Sequence, residues 1–226
     1  MKTLVRPTES WRISPNYTIT QAARIAVTHP INVHRWLYGS DYIHTQMKPV
    51  FGKREEIPRL SFIELAEIIV VARFRKKGVK LSTLREAHEY SSGLLKIEYP
   101  FAHMILKTDG ANVLAAFEED HPKASLMAMN KHGQLTLPQE VIEALELFDY
   151  EKEFAARWFP AGREVPIVVD PRYSAGQPSI PNRRLPIDIL YNRWKAGEAM
   201  RYIASDYALP KNVVEEALRY AEKYVI

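Results

Sequence analysis

The chain has 226 residues, a formal net charge of +4 and 46% hydrophobic residues, which is enough for one large domain or two small ones. It contains no cysteine, which excludes disulfides, thiolate metal sites and thiol catalysis. No apolar run reaches the roughly 18 residues of a membrane helix, and the N-terminal sequence lacks the apolar core of a signal peptide. We therefore expect a cytoplasmic protein without a membrane partner.

Positive charge is concentrated in the front of the chain. Residues 1–96 contain 16 Lys and Arg against 8 Asp and Glu, whereas the remainder contains 15 against 19. This asymmetry is expected if the N-terminal part meets a polyanion and the acidic remainder meets a different partner.

Two short helices joined by a tight turn are predicted between residues 17 and 37. The first would begin after a Thr20 cap and present an alanine-rich face for a close helix crossing. The second would begin at Pro30, which suits the first turn of a helix, and end at Gly39.

The polar face of the second helix carries candidate DNA-binding side chains. Asn32, His34 and Arg35 lie opposite its apolar stripe, and side chains of these types read base edges or bind phosphate. Gln21, at the start of the first helix, is a further candidate. From spacing alone, DNA binding and an ordinary amphipathic helix pair are equally plausible.

Residues 40–59 have little helical periodicity and predict either a two-stranded wing or a loop. In a wing, Lys53 and Arg54 would contact the phosphate backbone of DNA.

A capping box at Ser61 and Glu64 then opens the strongest predicted helix. This helix ends in RKKG, where the cations suit the negative end of the helix dipole. Ser82 is predicted to cap a following helix at residues 83–90, and a turn is predicted after it at residues 91–93.

Residues 99–165 are predicted to form a small antiparallel β-rich region that serves as a connection or dimer contact. Asp109-Gly110 would turn a hairpin between strands at 103–107 and 112–117, and a second hairpin is predicted over 126–137. The remaining elements of the region are a helix and two strands, at residues 138–148, 154–159 and 165–169.

The last block is extended and proline-rich up to residue 184, and three helices are predicted after it. Their ranges are 186–196, 198–207 and 210–224, with apolar residues at helical spacing. From the residues alone, this block is a small three-helix domain without catalytic chemistry. The whole chain is thus predicted to be an α+β protein, mainly α.

The sequence offers no starting point for an enzyme. The 7 histidines lack the helical pairing of a zinc site, and the chain has no GxSxG, GxxxxGK or GxGxxG motif. We therefore expect neither catalysis nor a metal site.

Two stretches of the N-terminal part resemble the MerR-type winged helix-turn-helix. AARIAVTHPINVHRWL is followed by RLSFIELAEIIVVARFRKKGVKLSTLREA, in the order helix, turn, recognition helix, wing and helix pair. The resemblance covers about residues 17–90 and implies a DNA-binding domain over residues 1–98. The chain departs from the pattern at the turn, where Val27 replaces the common glycine and Thr28 the usual apolar residue. A β-branched residue is poorly suited to a turn with positive φ.

The C-terminal block resembles the family catalogued as domain of unknown function 433, over about residues 166–222. The matching residues include Asp170-Pro171, Gly176-Gln177-Pro178, Asp188-Ile189-Leu190, Ala196-Gly197-Glu198 and residues 203–207. That family is found mostly in antitoxins that accompany toxins with PIN-like nuclease folds. With its N-terminal helix-turn-helix, the chain resembles the larger VapB-type antitoxins over nearly its full length.

This resemblance implies a type II antitoxin. Such a protein represses its own operon as a homodimer on operator DNA and silences a PIN-like ribonuclease toxin through its C-terminal domain, here residues 166–226. Antitoxins of this kind commonly block the carboxylate metal site of the toxin with an inserted arginine. The candidates are Arg172, Arg183, Arg184 and Arg193.

No cofactor is implied, and two alternatives stay open. One is a MerR-like transcription regulator without a toxin partner, and the other is a protein-binding inhibitor that does not bind DNA.

Overall fold

The computed structural model describes residues 4–42, 45–52, 58–129 and 135–224. Over these residues the chain is an α+β protein, mainly α, as predicted. It divides into two compact units, Met1–Ala155 and Ala156–Ile226. Within the described ranges, no helix is long and apolar enough to cross a membrane. The functional division into residues 1–98, 99–165 and 166–226 stays a prediction.

The first unit is built mainly from helices. In chain order they are α1 (Ser10–Ile13), α2 (Ile19–Ala26), α3 (Pro30–Tyr38), α4 (Phe62–Lys76), α5 (Leu81–Leu95), α6 (Met104–Thr108), α7 (Gly110–Asp120) and α8 (Gln139–Glu146). The strands are β1 (Ser40–Tyr42), β2 (Thr45–Met47), β3 (Ala128–Met129), β4 (Leu135–Thr136), β5 (Phe148–Glu151) and β6 (Phe154–Trp158), the last of which spans the boundary between the units. β1 pairs antiparallel with β2 and β3 with β4, while β5 pairs with β6.

Helix α4 lies at the centre of the first unit. The predicted capping box is present, because the Ser61 hydroxyl accepts from the Glu64 N–H at 3.4 Å and the Glu64 carboxylate accepts from the Ser61 N–H at 2.7 Å. Nearly every side chain from Phe62 to Phe74 is buried, which is typical of a helix surrounded by protein. α1, α2, α8 and a 3-10 turn at Pro100–Ala102 pack around it.

Residues 104–108 and 110–120 are helical, so the hairpin predicted at Asp109-Gly110 is wrong. Leu106, Leu114 and Phe117 are buried as parts of α6 and α7. A Cβ on Gly110 would lie 2.9 Å from the Leu106 Cδ1 atom, so the missing side chain lets the two helices meet closely. The Asp-Gly pair therefore marks a helix corner here and not a hairpin turn.

Two predicted helix starts are also wrong. α2 is capped by Thr18 and not by Thr20: the Thr18 hydroxyl accepts from the Gln21 N–H at 3.2 Å, and the Gln21 side chain completes a capping box. α5 begins at Leu81, before the predicted Ser82 cap, and continues through the predicted turn at residues 91–93. Its buried face extends from Thr83 to Ser91, and the helix continues past Gly93 to Leu95.

The hairpin predicted over residues 126–137 is confirmed by the pairing of β3 with β4, while its turn lies outside the described residues. The following helix, α8, ends at Glu146 before the predicted Phe148, which instead begins β5.

The second unit contains the three helices predicted for the C-terminal block. Its further elements are β7 (Ser179–Ile180), β8 (Leu185–Pro186), α9 (Ile187–Lys195), α10 (Met200–Asp206) and α11 (Lys211–Tyr224). β7 and β8 pair antiparallel, and each of the three helices contacts the other two. Their shared core is formed chiefly by Ile187, Leu190, Ile203, Val214, Ala217 and Leu218. The strand predicted at 165–169 is seen as isolated bridges from Val168 to Ser179 and from Val169 to Trp158.

Candidate nucleic-acid interface and partner-binding surface

The corner between α2 and α3 places Val27 in a conformation that usually requires glycine. Val27 has left-handed backbone angles, φ 58° and ψ 54°, and its N–H donates to the carbonyls of Ala23 and Arg24. The Thr28 N–H also donates to the Ala23 carbonyl at 2.9 Å, which closes α2 with a Schellman-type pattern. Val27 therefore takes the strained left-handed conformation that glycine would take here, and the tight turn still forms.

Helix α3 starts with a histidine cap. The His29 Nδ1 atom accepts from the Ile31 N–H at 3.3 Å, and Pro30 occupies the first helical position as predicted. The helix buries Val33, Trp36 and Leu37. The opposite face consists of side chains that remain at least partly exposed: Ile31, His34, Arg35 and Tyr38.

The predicted DNA-binding residues of this corner differ in exposure and in how many of their hydrogen-bonding groups are already used within the protein. Arg35 and His34 lie on the open face of α3, where the His34 ring meets the Tyr38 ring edge-on at 5.0 Å. The Asn32 side-chain amide donates to the Thr28 Oγ1 atom at 3.2 Å. The Gln21 carboxamide oxygen caps α2, so only its amide hydrogens remain for a DNA contact.

A groove of about 530 Å³ runs between this corner and the C-terminal turn of α4. Its polar lining consists of Thr28, Asn32, Arg35, Arg73, Arg75 and Lys76. Four of these side chains are cations, and no carboxylate is among the described residues that line the groove. Such a concentration of positive charge attracts polyanions.

The three cations that α4 contributes to the groove, Arg73, Arg75 and Lys76, were not predicted as site residues from the sequence. Arg75 donates to the Val79 carbonyl at 2.5 Å, and Lys77 forms an ion pair with Glu140. Arg73 and Lys76, in contrast, form no side-chain hydrogen bond or ion pair with any described residue. The excess of positive charge in residues 1–96 was the one signal for them, since their position at a helix end gave them a sufficient local role.

The strands β1 and β2 form a hairpin next to α3, with Ser40 opposite Met47. The chain after β2 is held in place because the Val50 N–H donates to the Trp36 carbonyl at 2.7 Å. Arg85 of α5 also donates to the carbonyls of Lys48 and Pro49, at 2.5 and 2.8 Å.

Lys53 and Arg54, the predicted wing residues, follow β2 in the sequence and lie outside the described residues. Their contact with phosphate stays a prediction.

In the second unit, two of the four predicted partner-binding arginines form internal ion pairs. Arg172 contacts both carboxylate oxygens of Asp170, with its Nη2 atom 2.7 Å from Oδ2 and its Nε atom 2.8 Å from Oδ1. Arg193 donates from Nε to Glu198 at 2.7 Å and from Nη2 to Asp206 at 2.6 Å. These bonds, with that to Glu198 the largest cause, raise the pKa of Arg193.

The other two arginines, Arg183 and Arg184, are exposed. Arg183 donates from Nη2 to the Ala208 carbonyl at 3.2 Å. The Arg184 guanidinium lies 5.7 Å from the centre of the Tyr173 ring. Arg184 has a left-handed φ of 50°, and its carbonyl accepts from the Ser174 hydroxyl at 2.8 Å. Neither side chain pairs with a carboxylate in the described part of the unit.

Among the described residues, no group of three His, Asp or Glu side chains could hold a metal ion.

The chain is similar to known proteins over nearly its whole length. The family described as "Protein of unknown function (DUF433)" matches residues 167–221, which confirms the resemblance predicted for the C-terminal block. A Mycobacterium tuberculosis (strain ATCC 25618 / H37Rv) protein named "Putative antitoxin VapB45" is 25% identical over 224 residues, covering 90% of this chain and 92% of that protein. The X-ray crystal structure of Rv2018 from Mycobacterium tuberculosis has a TM-score of 0.74 and 25% identity, covering 90% of this chain and 97% of that one. Along most of its length, the chain is thus similar in sequence to a protein named as an antitoxin and similar in fold to Rv2018.

Proposed function

We propose that the chain is the antitoxin of a type II toxin–antitoxin pair, which represses its own operon on operator DNA and silences a PIN-like ribonuclease toxin. The similarity to a protein named as an antitoxin supports the general role. The groove lined by Arg35, Arg73, Arg75 and Lys76 is the observation that carries the DNA-binding half. Neither role involves catalysis.

In the proposed DNA complex, α3 enters the major groove and the cations of α4 follow the adjacent phosphates. Arg35 has the chemistry to bind guanine O6 and N7, and Asn32 and His34 extend the base-reading surface. Arg73 and Lys76 supply contacts that position the protein without reading sequence. Two copies of α3 in a homodimer would match the two half-sites of a palindromic operator.

Titration of the purified chain with DNA from its own upstream region tests this half. We expect Arg73→Gln and Lys76→Gln to weaken binding to operator and random duplex alike. For each lost phosphate contact, the slope of log affinity against log salt should become shallower by about 0.9. Lys123→Gln, which neutralises an exposed cation that does not line the groove, is the matched control. Equal affinity of the unaltered chain for operator and random duplex would contradict repression by specific binding.

The proposed toxin contact is the exposed pair Arg183 and Arg184. Moving Arg172 or Arg193 to a partner would leave carboxylates of the second unit without their cation, whereas Arg183 would give up one bond to a carbonyl. A guanidinium binds a carboxylate with two parallel hydrogen bonds, so an arginine pair fits the acidic metal site of a PIN-like nuclease.

Co-expression with the neighbouring gene, followed by a pull-down, tests the toxin half. With the toxin in hand, the double variant Arg183→Ala/Arg184→Ala should lose most of its inhibition of RNA cleavage. Arg219→Ala is the matched control, since its side chain is 63% exposed on α11. Undiminished inhibition by the double variant would overturn the assignment of this pair.

A further inference from the structure

The exposed face of α3 begins with an apolar side chain. Ile31, in the first turn of the helix, is 45% exposed, and Val27, at the preceding corner, is 52% exposed. Both are β-branched aliphatic residues. Val27 lines the groove, and Ile31 directly precedes the groove residue Asn32 on α3.

A single exposed apolar residue is ordinary on a protein surface, but these two have an energetic cost that burial does not offset. Val27 keeps its side chain in a left-handed backbone that glycine adopts with less strain. Ile31 occupies an exposed helical position where a straight-chain polar residue would favour the helix more. A contact with another molecule would explain why apolar groups are placed there.

The position of Ile31 relative to Arg35 suggests which contact this is. The two residues are separated by four positions on α3, so their Cβ atoms lie about 6 Å apart on one face. Successive base pairs are separated by about 3.4 Å along the helix axis of DNA. An aliphatic group at Ile31 therefore meets a base within two positions of the base that Arg35 contacts.

In the major groove, the apolar group that distinguishes one base pair from another is the 5-methyl group of thymine. We infer that Ile31 is a specificity-determining residue, which packs against the methyl group of a thymine within two base pairs of the guanine bound by Arg35. This inference rests on the proposed binding of operator DNA, and it specifies part of the sequence that the operator must contain.

Replacing single thymines of the bound DNA by 2′-deoxyuridine tests this, because the substitution removes only the methyl group. For the unaltered chain, one such replacement in each of the two half-sites should weaken binding about fifteenfold, the equivalent of about 0.8 kcal/mol for the one buried carbon group lost from each half-site. Ile31→Ala should weaken binding to thymine DNA by a similar factor and lose nothing further with uracil. Ile31→Val, which keeps a branched aliphatic group, should retain the discrimination, and thermal unfolding followed by circular dichroism checks the fold of each variant.

The outcomes separate this inference from the function on which it rests. If the unaltered chain binds its operator specifically and no uracil replacement weakens it, the inference fails and operator binding stands. If the unaltered chain and Ile31→Ala lose the same factor at the same uracil, another residue contacts the methyl group and the assignment of Ile31 is overturned. If the chain does not distinguish its upstream DNA from random duplex, the proposed function fails and the inference fails with it.

Discussion

Val27 occupies a backbone conformation that β-branched residues rarely adopt. A left-handed conformation costs an L-residue roughly 1–2 kcal/mol. Glycine avoids this cost, but it loses about 0.5–1 kcal/mol more chain entropy on folding. We therefore expect Val27→Gly to raise the free energy of unfolding by about 0.5–1 kcal/mol, measured by thermal or urea unfolding. Val27→Ala keeps the left-handed cost and should bring little gain. A less stable glycine variant would show that the Val27 side chain makes a contact worth more than its strain.

His103 is a buried cap whose protonation state affects stability. Its Nδ1 atom accepts from the Ile105 N–H at 3.1 Å at the start of α6, which requires that this nitrogen carries no proton. Burial lowers the pKa of His103, and Glu153, 3.8 Å away, opposes the shift with a smaller effect. The unfolded chain, in which histidine has a pKa of about 6.5, therefore takes up the proton first as the pH falls.

The stability that neutral His103 contributes is thus complete above about pH 6.5 and is lost as the pH falls towards its lowered pKa. We expect His103→Asn, which keeps an acceptor for the cap but does not titrate, to flatten the decline in unfolding free energy between about pH 7.5 and 5.5. An identical pH dependence in His103→Asn and the unaltered chain would contradict this account.

At the scale of elements, the junction between α3 and β1 depends on Gly39. Its φ of 78° and ψ of −162° lie in a region that is essentially restricted to glycine. A Cβ at this position would overlap the carbonyl oxygen of Met47 and lie 3.3 Å from the Cδ atom of Pro49. The close approach of α3 to the end of β2 is therefore possible because residue 39 has no side chain.

We expect Gly39→Ala to lower the free energy of unfolding by about 2–3 kcal/mol, because backbone strain and steric overlap add. Gly52→Ala is the matched control: its φ is 76°, but an added Cβ would have no neighbour within 4 Å, so strain alone should cost about 1 kcal/mol. Urea unfolding of both variants measures the difference. Equal losses would show that the Gly39 contact is relieved by a small backbone shift.

The elements differ in how far local sequence could predict them. α4 was predictable because Ser61 and Glu64 signal its start and apolar residues continue for several turns. α6 and α7 were not, because Asp109-Gly110 has the same composition in a hairpin turn and in a tight helix corner. The packing of Gly110 against Leu106 and Leu137 decides between them, and Leu137 is distant in sequence.

The candidate site shows the same division. Arg35 could be placed on the open face of α3 from helical spacing alone. The nearness of Arg73 and Lys76 to Arg35 depends on how α4 packs in the first unit, which no local pattern encodes. Both residues also had a sufficient local explanation at the negative end of a helix, so nothing in the sequence distinguished a second role.

At the scale of the whole molecule, the charge distribution differs from the expectation of an acidic C-terminal part. The negative charge lies in residues 97–155, which contain 4 Lys and Arg against 11 Asp and Glu. The second unit, Ala156–Ile226, contains 11 Lys and Arg against 8 Asp and Glu. The second unit is therefore net positive, whereas the charge of the whole remainder had predicted an acidic partner-binding part. A positive unit suits an acidic partner, which favours arginines as the proposed toxin contact.

The two proposed interfaces belong to different compact units, and the second unit has a hydrophobic core of its own. We therefore expect their functions to be separable by substitution. Arg35→Ala should weaken operator binding by the homodimer at least tenfold, since each of its two arginine–guanine pairs contributes about 1–3 kcal/mol, and should inhibit the toxin as well as the unaltered chain does. Arg183→Ala/Arg184→Ala should show the reverse, when operator binding and RNA cleavage are measured side by side. If Arg35→Ala also relieved toxin inhibition while keeping its circular dichroism spectrum, the two activities would be coupled, and the separate cores would not be the basis of separate functions.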